Sequence, residues 1–194
     1  NMLEIATELA MTKPAYVEMA DKFFAHYLWI ARAVAHTGDN TGMWDEEDGF
    51  FYDVLKMPNG ESVKLKVRSM VGLLPLCAAT VYEGKFLTMH PEVGVRLRSF
   101  LDARPELRDA IHDPVARGHA DRRLAWVLNE TRLRRVLARM LDENEFLSPY
   151  GIRALSRRHA EEPYIFRVGD QEYRVGYLPA ESDNGMFGGN SNWR

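Results

Sequence analysis

Apolar residues recur at steps of three and four through the first third of the chain. Met2, Ile5, Ala6 and Leu9 mark one helical face, which Thr12-Lys13-Pro14 breaks. Pro14 then opens a long second helix, where a missing N–H costs nothing because the first turn has no partner for it. Tyr16, Met19, Phe23, Tyr27, Ile30 and Val34 form its apolar stripe, and Phe24, Leu28 and Trp29 add apolar surface beside it. Such a helix is expected to be covered on more than one side, with Gly38 as its end.

The period then changes from helical to alternating. Phe50 to Leu55 and Val63 to Val67 flank Pro58-Asn59-Gly60, and Asn-Gly between two such runs predicts a hairpin. Val63, Leu65 and Val67 alternate with Lys64 and Lys66, so the lysine face is expected to be wet. Met70 to Tyr82 reads as a buried helix interrupted near Pro75. Three shorter helices follow. Pro91 starts one with Val93, Leu97, Phe100 and Leu101 inward, and Pro105 starts another with Leu107 and Ile111. Asn129 is the expected cap of the third, which carries Leu133, Val136, Leu137, Met140 and Leu141 on one face with Arg132, Arg135 and Arg139 off it. A second hairpin is predicted at Tyr164 to Val168 and Glu172 to Tyr177, turning at Gly169-Asp170, and from Leu178 onward the chain reads as loop. The expected class is mainly α with two small hairpins inserted between helices.

Composition narrows the function classes. The chain has 194 residues with 25 Lys+Arg against 28 Asp+Glu, and the resulting net charge of −3 disfavours a nucleic-acid partner read through bulk charge. No apolar run reaches the ~20 residues of a spanning helix, so no membrane partner is expected. One cysteine, Cys77, excludes an internal disulfide framework and a thiolate metal site; it fits a reducing, cytoplasmic setting and an inert core position. The six histidines show no ligand spacing, so neither metal nor cofactor is expected. The Arg153, Arg157, Arg158 and His159 run reads as a solvated basic face.

Two segments carry chemistry. From Asp39 to Asp53 there are carboxylates at 39, 45, 46, 47, 48 and 53 and no Lys or Arg, with Trp44, Phe50, Phe51 and Tyr52 among and beside them. Carboxylates accept hydrogen bonds from ring hydroxyls while a sugar's apolar face lies on a flat aromatic side chain, so the segment is a candidate sugar site. The other reading is a solvated acidic turn whose aromatics belong to the next strand. A calcium loop is disfavoured, because counting from Asp45 puts Phe50 at the sharp-turn glycine. The second segment is Glu181 to Arg194. Its glycines let backbone approach a ligand closely, and its Asn, Ser and Arg side chains supply donors.

Four stretches are similar in order to glycoside hydrolase family 63, in its bacterial branch: Trp44-Asp45-Glu46-Glu47-Asp48-Gly49-Phe50-Phe51-Tyr52-Asp53, Val67 to Leu76, Leu147-Ser148-Pro149-Tyr150-Gly151-Ile152-Arg153, and the terminal Gly-Gly-Asn-Ser-Asn-Trp-Arg. The resemblance covers essentially the whole chain. It implies part of an (α/α)₆ toroid and inverting hydrolysis of an α-glucosidic bond, with an oligosaccharide or small α-glucoside as substrate. The terminal Trp-Arg resembles the start of a Trp-Arg-Gly-Pro motif that borders the family's sugar pocket. Trp193 and Arg194, with Trp44 and Asp45, are therefore the expected pocket wall.

The same resemblance puts the general acid upstream of Asn1 and the general base downstream of Arg194, so no catalytic residue is assigned here. The expectation is one segment, residues 1–194, excerpted from a larger catalytic domain. Glu46, Glu47 and Asp48, neighbours on a short loop, cannot flank a glycosidic bond at the ~6.5–9.5 Å spacing of an inverting site. The competing reading is a non-catalytic carbohydrate-binding or interaction module on the same scaffold. A phosphorylase is a further option that would need a phosphate site.

Overall fold

The computed structural model describes residues 1–36 and 41–179. In chain order the elements are α1 (Met2–Ala10), α2 (Val17–Ala35), β1 (Trp44–Asp45), β2 (Phe50–Phe51), β3 (Asp53–Lys56), β4 (Ser62–Leu65), β5 (Ala79–Glu83), α3 (Gly84–Met89), α4 (Pro91–Asp102), α5 (Pro105–Ala110), β6 (Arg122–Trp126), α6 (Glu130–Met140), β7 (Leu147–Ser148), β8 (Gly151–Ile152), β9 (Tyr164–Val168) and β10 (Gln171–Val175). Among the described residues the strands form five two-stranded antiparallel sheets: β1 with β2, β3 with β4, β5 with β6, β7 with β8 and β9 with β10.

This overturns the expected mainly-α class and the (α/α)₆ toroid. Helix takes 46% and strand 22% of the described residues, a mixed α/β fold. A toroid needs long helices paired two by two, but among the described helices only α2, at 19 residues, is long; α1, α3, α4, α5 and α6 run from 6 to 12 residues. Between them lie sheets that a local helical period cannot reveal. The β5–β6 pair joins Ala79 to Trp126 and Glu83 to Arg122 across some forty residues of chain.

The described chain divides into two compact units. Unit 1 comprises residues 1–36 and 75–130. Its core gathers Phe24, Tyr82 and Phe86, with Phe24 edge-on to Tyr82 at 5.1 Å and stacked on Phe86 at 6.2 Å. Val93, Leu97, Leu101, Leu107 and Ile111 are buried as expected. The buried stripe of α2, however, is Ala20, Phe24, Leu28, Ala31 and Ala35. Tyr16, Met19 and Ile30 of the predicted stripe are exposed, and Phe23, Tyr27 and Val34 are half-buried. Alanines contribute little to a hydrophobic count, yet they let neighbouring backbone come close, and packing follows them.

Unit 2 comprises residues 41–74 and 131–179. The Asn59-Gly60 hairpin is present, with Gly60 at φ +88° and a register running from Asp53–Leu65 to Lys56–Ser62. The β9–β10 hairpin turns at Gly169 as expected. Met70–Cys77, which begins in unit 2 and ends in unit 1, is a run of 3₁₀ turns rather than an α-helix, with Pro75 inside it, and Cys77 is exposed rather than in the core. Trp44, Phe50, Phe51 and Phe146 are fully buried, with Phe50 stacked on Phe146 at 5.6 Å. No described helix is long and apolar enough to cross a membrane.

Candidate functional site

The acidic segment folds as a closed turn in unit 2. β1 and β2 pair Trp44 with Phe51 and Asp45 with Phe50, so residues 46–49 must reverse the chain. Gly49 does so at φ +63°, its N–H donating to the Asp45 carbonyl at 2.9 Å. A side chain at this position would be strained and would also meet the Arg135 guanidinium. The Asp45 carboxylate accepts the Asp48 N–H at 3.0 Å, which fixes the turn from within.

Arginines from α6 close over this turn. Arg132, Arg135 and Arg139 are spaced by three and four and share one helix face. Arg135 pairs with the Glu46 carboxylate and donates to the Glu46 and Glu47 carbonyls. Arg139 donates to the Asp48 carbonyl through Nε at 3.3 Å and Nη2 at 3.2 Å. The guanidiniums of Arg132 and Arg135 lie 4.7 and 5.4 Å from the Trp44 ring centroid, within cation–π reach. From β4 and the residues after it, Lys64 donates to the Trp44 carbonyl at 2.8 Å, and Lys66 reaches Asp45 at 3.2 Å and Asp48 at 3.1 Å. The lysine face of this hairpin is therefore turned to the acidic turn, contrary to the wet face expected.

Arg68 joins these pieces. It is 3% exposed. Its Nη2 donates to Asp48 at 2.7 Å, its Nε to the Tyr52 hydroxyl at 3.0 Å and its Nη1 to Glu145. Its backbone N–H donates to His159 Nε2 at 2.9 Å. Glu145, itself 5% exposed, also accepts from Arg139 at 3.3 Å and from the Ser156 hydroxyl. Tyr52 donates onward to Asp48 at 3.1 Å. Arg153 is buried too, and ties the carbonyls of Glu143, Glu145 and Leu147 together, so the expected solvated basic run begins inside the core. Beside Arg68 a polar cleft of about 210 Å³ opens, lined among others by Asp48, Tyr52, Lys66, His159 and Tyr164.

The electrostatics hold each group in one protonation state. Burial pushes Asp48 and Asp45 up. Lys66 and Arg68 around Asp48, and the Asp48 N–H with Lys66 around Asp45, outweigh it and leave both below the ordinary carboxylate range. The Trp44 indole N–H, 2.6 Å from Glu46, lowers Glu46 as well. Burial raises the Tyr52 hydroxyl to about 12 and depresses His159, whose Nδ1 faces the Glu162 carbonyl at 2.9 Å. Near neutral pH the cleft thus offers ionised acceptors, cationic donors and a protonated phenol. Such a set recognises hydroxyl groups well, whereas a general acid needs a carboxyl pushed upward. Among the described residues no group of His, Cys, Asp and Glu is placed to hold a metal.

Of the expected pocket wall, Trp193 and Arg194 lie outside the described residues. Trp44 is 1% exposed and its ring is covered by guanidinium, so a sugar could stack on it only if Arg132 moved. Asp45 is 8% exposed and committed to Lys64, Lys66 and the turn. The groups that face the cleft are instead Asp48, Tyr52, Lys66 and Arg68. A signal for them was present: a run of carboxylates without one Lys or Arg has to be neutralised from elsewhere, and α6 offers arginines at i, i+3 and i+7.

No family model matches the chain, and no solved structure matches it. Over 207 aligned positions the chain is 41% identical to the uncharacterized protein YMR196W of Saccharomyces cerevisiae. The match takes in 100% of this chain and 19% of that protein, so the chain spans about a fifth of the length of the curated relative it matches.

Proposed function

We propose that this chain is a carbohydrate-contacting part of a glycoside hydrolase acting on α-glucosidic bonds, and that it supplies recognition groups rather than the acid and base. One observation carries the reading. Three stretches similar to glycoside hydrolase family 63 converge around Arg68: Asp48 and Tyr52 come from the first, Arg68 from the second, and Arg153, which organises the backbone around Glu145, from the third. The substrate is an oligosaccharide or small α-glucoside whose hydroxyls meet Asp48, Lys66 and Tyr52 at the cleft. In such an enzyme an acid elsewhere protonates the leaving oxygen and a base activates water on the far face of the ring. The downward shifts at Asp45, Glu46 and Asp48 favour keeping this turn out of that pair.

The self-pairing of the cluster favours a second reading, a non-catalytic carbohydrate-binding or interaction module. Kinetics of the full-length protein on α-linked glucose disaccharides separate the two. Lys66→Met removes a partly exposed donor at the cleft. It should lower kcat/KM by about tenfold, the loss of one hydrogen bond from a charged group, while the melting temperature stays close to wild type. Turnover at the wild-type level in this variant overturns the assignment of the cleft. Sugar binding without turnover selects the non-catalytic module.

A further inference from the structure

Unit 1 holds a second cleft, with an arginine rim, that the carbohydrate reading does not use. A cleft of about 320 Å³ lies at the corner between α3 and α4, lined by Leu87, Thr88, Pro91, Gly94 and Val95 together with Val115, Arg98, Arg117 and Arg123. Three of its lining residues are arginines and none is acidic. One face of α4, carrying Pro91, Gly94, Val95 and Arg98, forms one wall.

Arg123 is the buried member. It projects from β6, its side chain only 8% exposed. Nη1 is taken by Asp121, at 2.8 Å from the carbonyl and 3.0 Å from the carboxylate, while Nε is buried without a hydrogen-bond partner. The other buried side-chain nitrogen without a partner among the described residues is His90 Nε2, on the residue that precedes α4. Asp121 is shared, since Arg117 reaches the same carboxylate at 3.2 Å. Arg98 is exposed, with no ion pair among the described residues. Three guanidiniums thus stand against one carboxylate, an excess a dianion balances and a monocarboxylate does not. Planar guanidinium forks suit phosphate oxygens in particular, since two parallel N–H groups meet two of them. A Cβ added at Gly94 would meet only Leu87, at 3.8 Å, so the helix wall leaves room for a group larger than the ion itself.

We propose that this cleft binds a dianionic phosphoryl group, free or as the monoester of a small molecule, between Arg98, Arg117 and Arg123. The proposal is independent of the carbohydrate cleft in unit 2. Its test is calorimetric titration of the full-length protein with inorganic phosphate and, separately, with a hexose monophosphate, at ionic strength fixed with sodium chloride. At least one of the two should bind saturably. Arg98→Gln should weaken that binding about tenfold, and adding Arg117→Gln should weaken it further. Both arginines are exposed, so circular dichroism melts of the variants should match wild type. Lys66→Met, in unit 2, should leave phosphate binding unchanged. Tighter binding of the monoester identifies an esterified ligand, and equal affinity identifies the free ion; either supports the site. Absence of saturable binding, or binding unaltered in the double variant, overturns it.

Discussion

Unit 1 excludes water with Phe24, Tyr82, Phe86 and the leucines and valines of α4 and α5, and among the described residues the buried polar or charged side chains it adds are Thr7 and Arg123. In unit 2 the aromatic group Trp44, Phe50, Phe51 and Phe146 is interleaved with Asp45, Arg68, Arg132, Glu145, Arg153, Ser156 and His159, all buried. The first kind of core is non-directional and tolerates some rearrangement. The second is held by directional bonds among charges taken out of water, where each group is expensive to bury and more expensive to leave unpaired. Evolution has no stability reason to prefer the second, since apolar packing of equal volume often serves as well. The contrast draws attention to unit 2 as the place where chemistry is organised.

The largest expected effects come from removing one member of each core. Arg68→Met leaves Glu145 buried without its principal partner and should cost about 3–5 kcal/mol. Phe24→Ala should cost a similar ~3–5 kcal/mol by opening a cavity against Tyr82 and Phe86. A second substitution distinguishes the two cores. Arg68→Met combined with Glu145→Gln should recover part of the loss, because the stranded charge is gone, whereas no neutralising change rescues Phe24→Ala. Hydrogen exchange resolved by region, comparing residues 44–56 with 17–35, checks where each loss falls. If the double variant is as unstable as the sum of its parts, the buried pair is not the unit of stabilisation.

A smaller effect, with a distinct shape, is expected from pH. His159 lies below its ordinary value of 6.5, so below about pH 6.5 the unfolded chain takes up a proton that the folded one resists, and unit 2 loses stability as pH falls. A second loss follows below about pH 4, where the unfolded chain protonates Asp45, Glu46 and Asp48 while the folded turn keeps them ionised. In unit 1 the shifted groups are Tyr27 and Tyr82, both raised by burial, so its stability falls on the alkaline side, above about pH 10. His159→Gln should remove the first acid step and keep the second. Identical acid profiles for the exchange of the two regions would erase the distinction between them.

How much of this was legible in the sequence follows the same division. Periods of three and four located α2, α4, α5 and α6, because a helix writes its packing into neighbouring residues. Asn59-Gly60 and Gly169-Asp170 located two hairpins, because a turn is equally local. The β5–β6 sheet was not legible: Ala79 and Trp126 meet only in the folded chain, and a run such as Met70–Cys77 is apolar enough to pass for a helix. The acidic turn is legible, with Trp44 and Asp45 expected at a sugar wall. Their partners were missed, since Arg68, Arg132, Arg135, Arg139 and Glu145 read singly as surface charge. Opposite charges that are distant in sequence carry no period, so only the unbalanced acid of residues 45–48 hints that they come together.

Asp45, Glu46 and Asp48 act in this turn as fixed, ionised partners and not as proton donors. Carbon-13 titration of the Asp48 carboxyl, in full-length protein labelled at aspartate, tests it most directly. A midpoint below the ordinary aspartate value of 3.8 is expected, moving upward when Lys66 is replaced by methionine. A midpoint raised toward neutrality in the wild-type protein would contradict it, and would make Asp48 a candidate general acid.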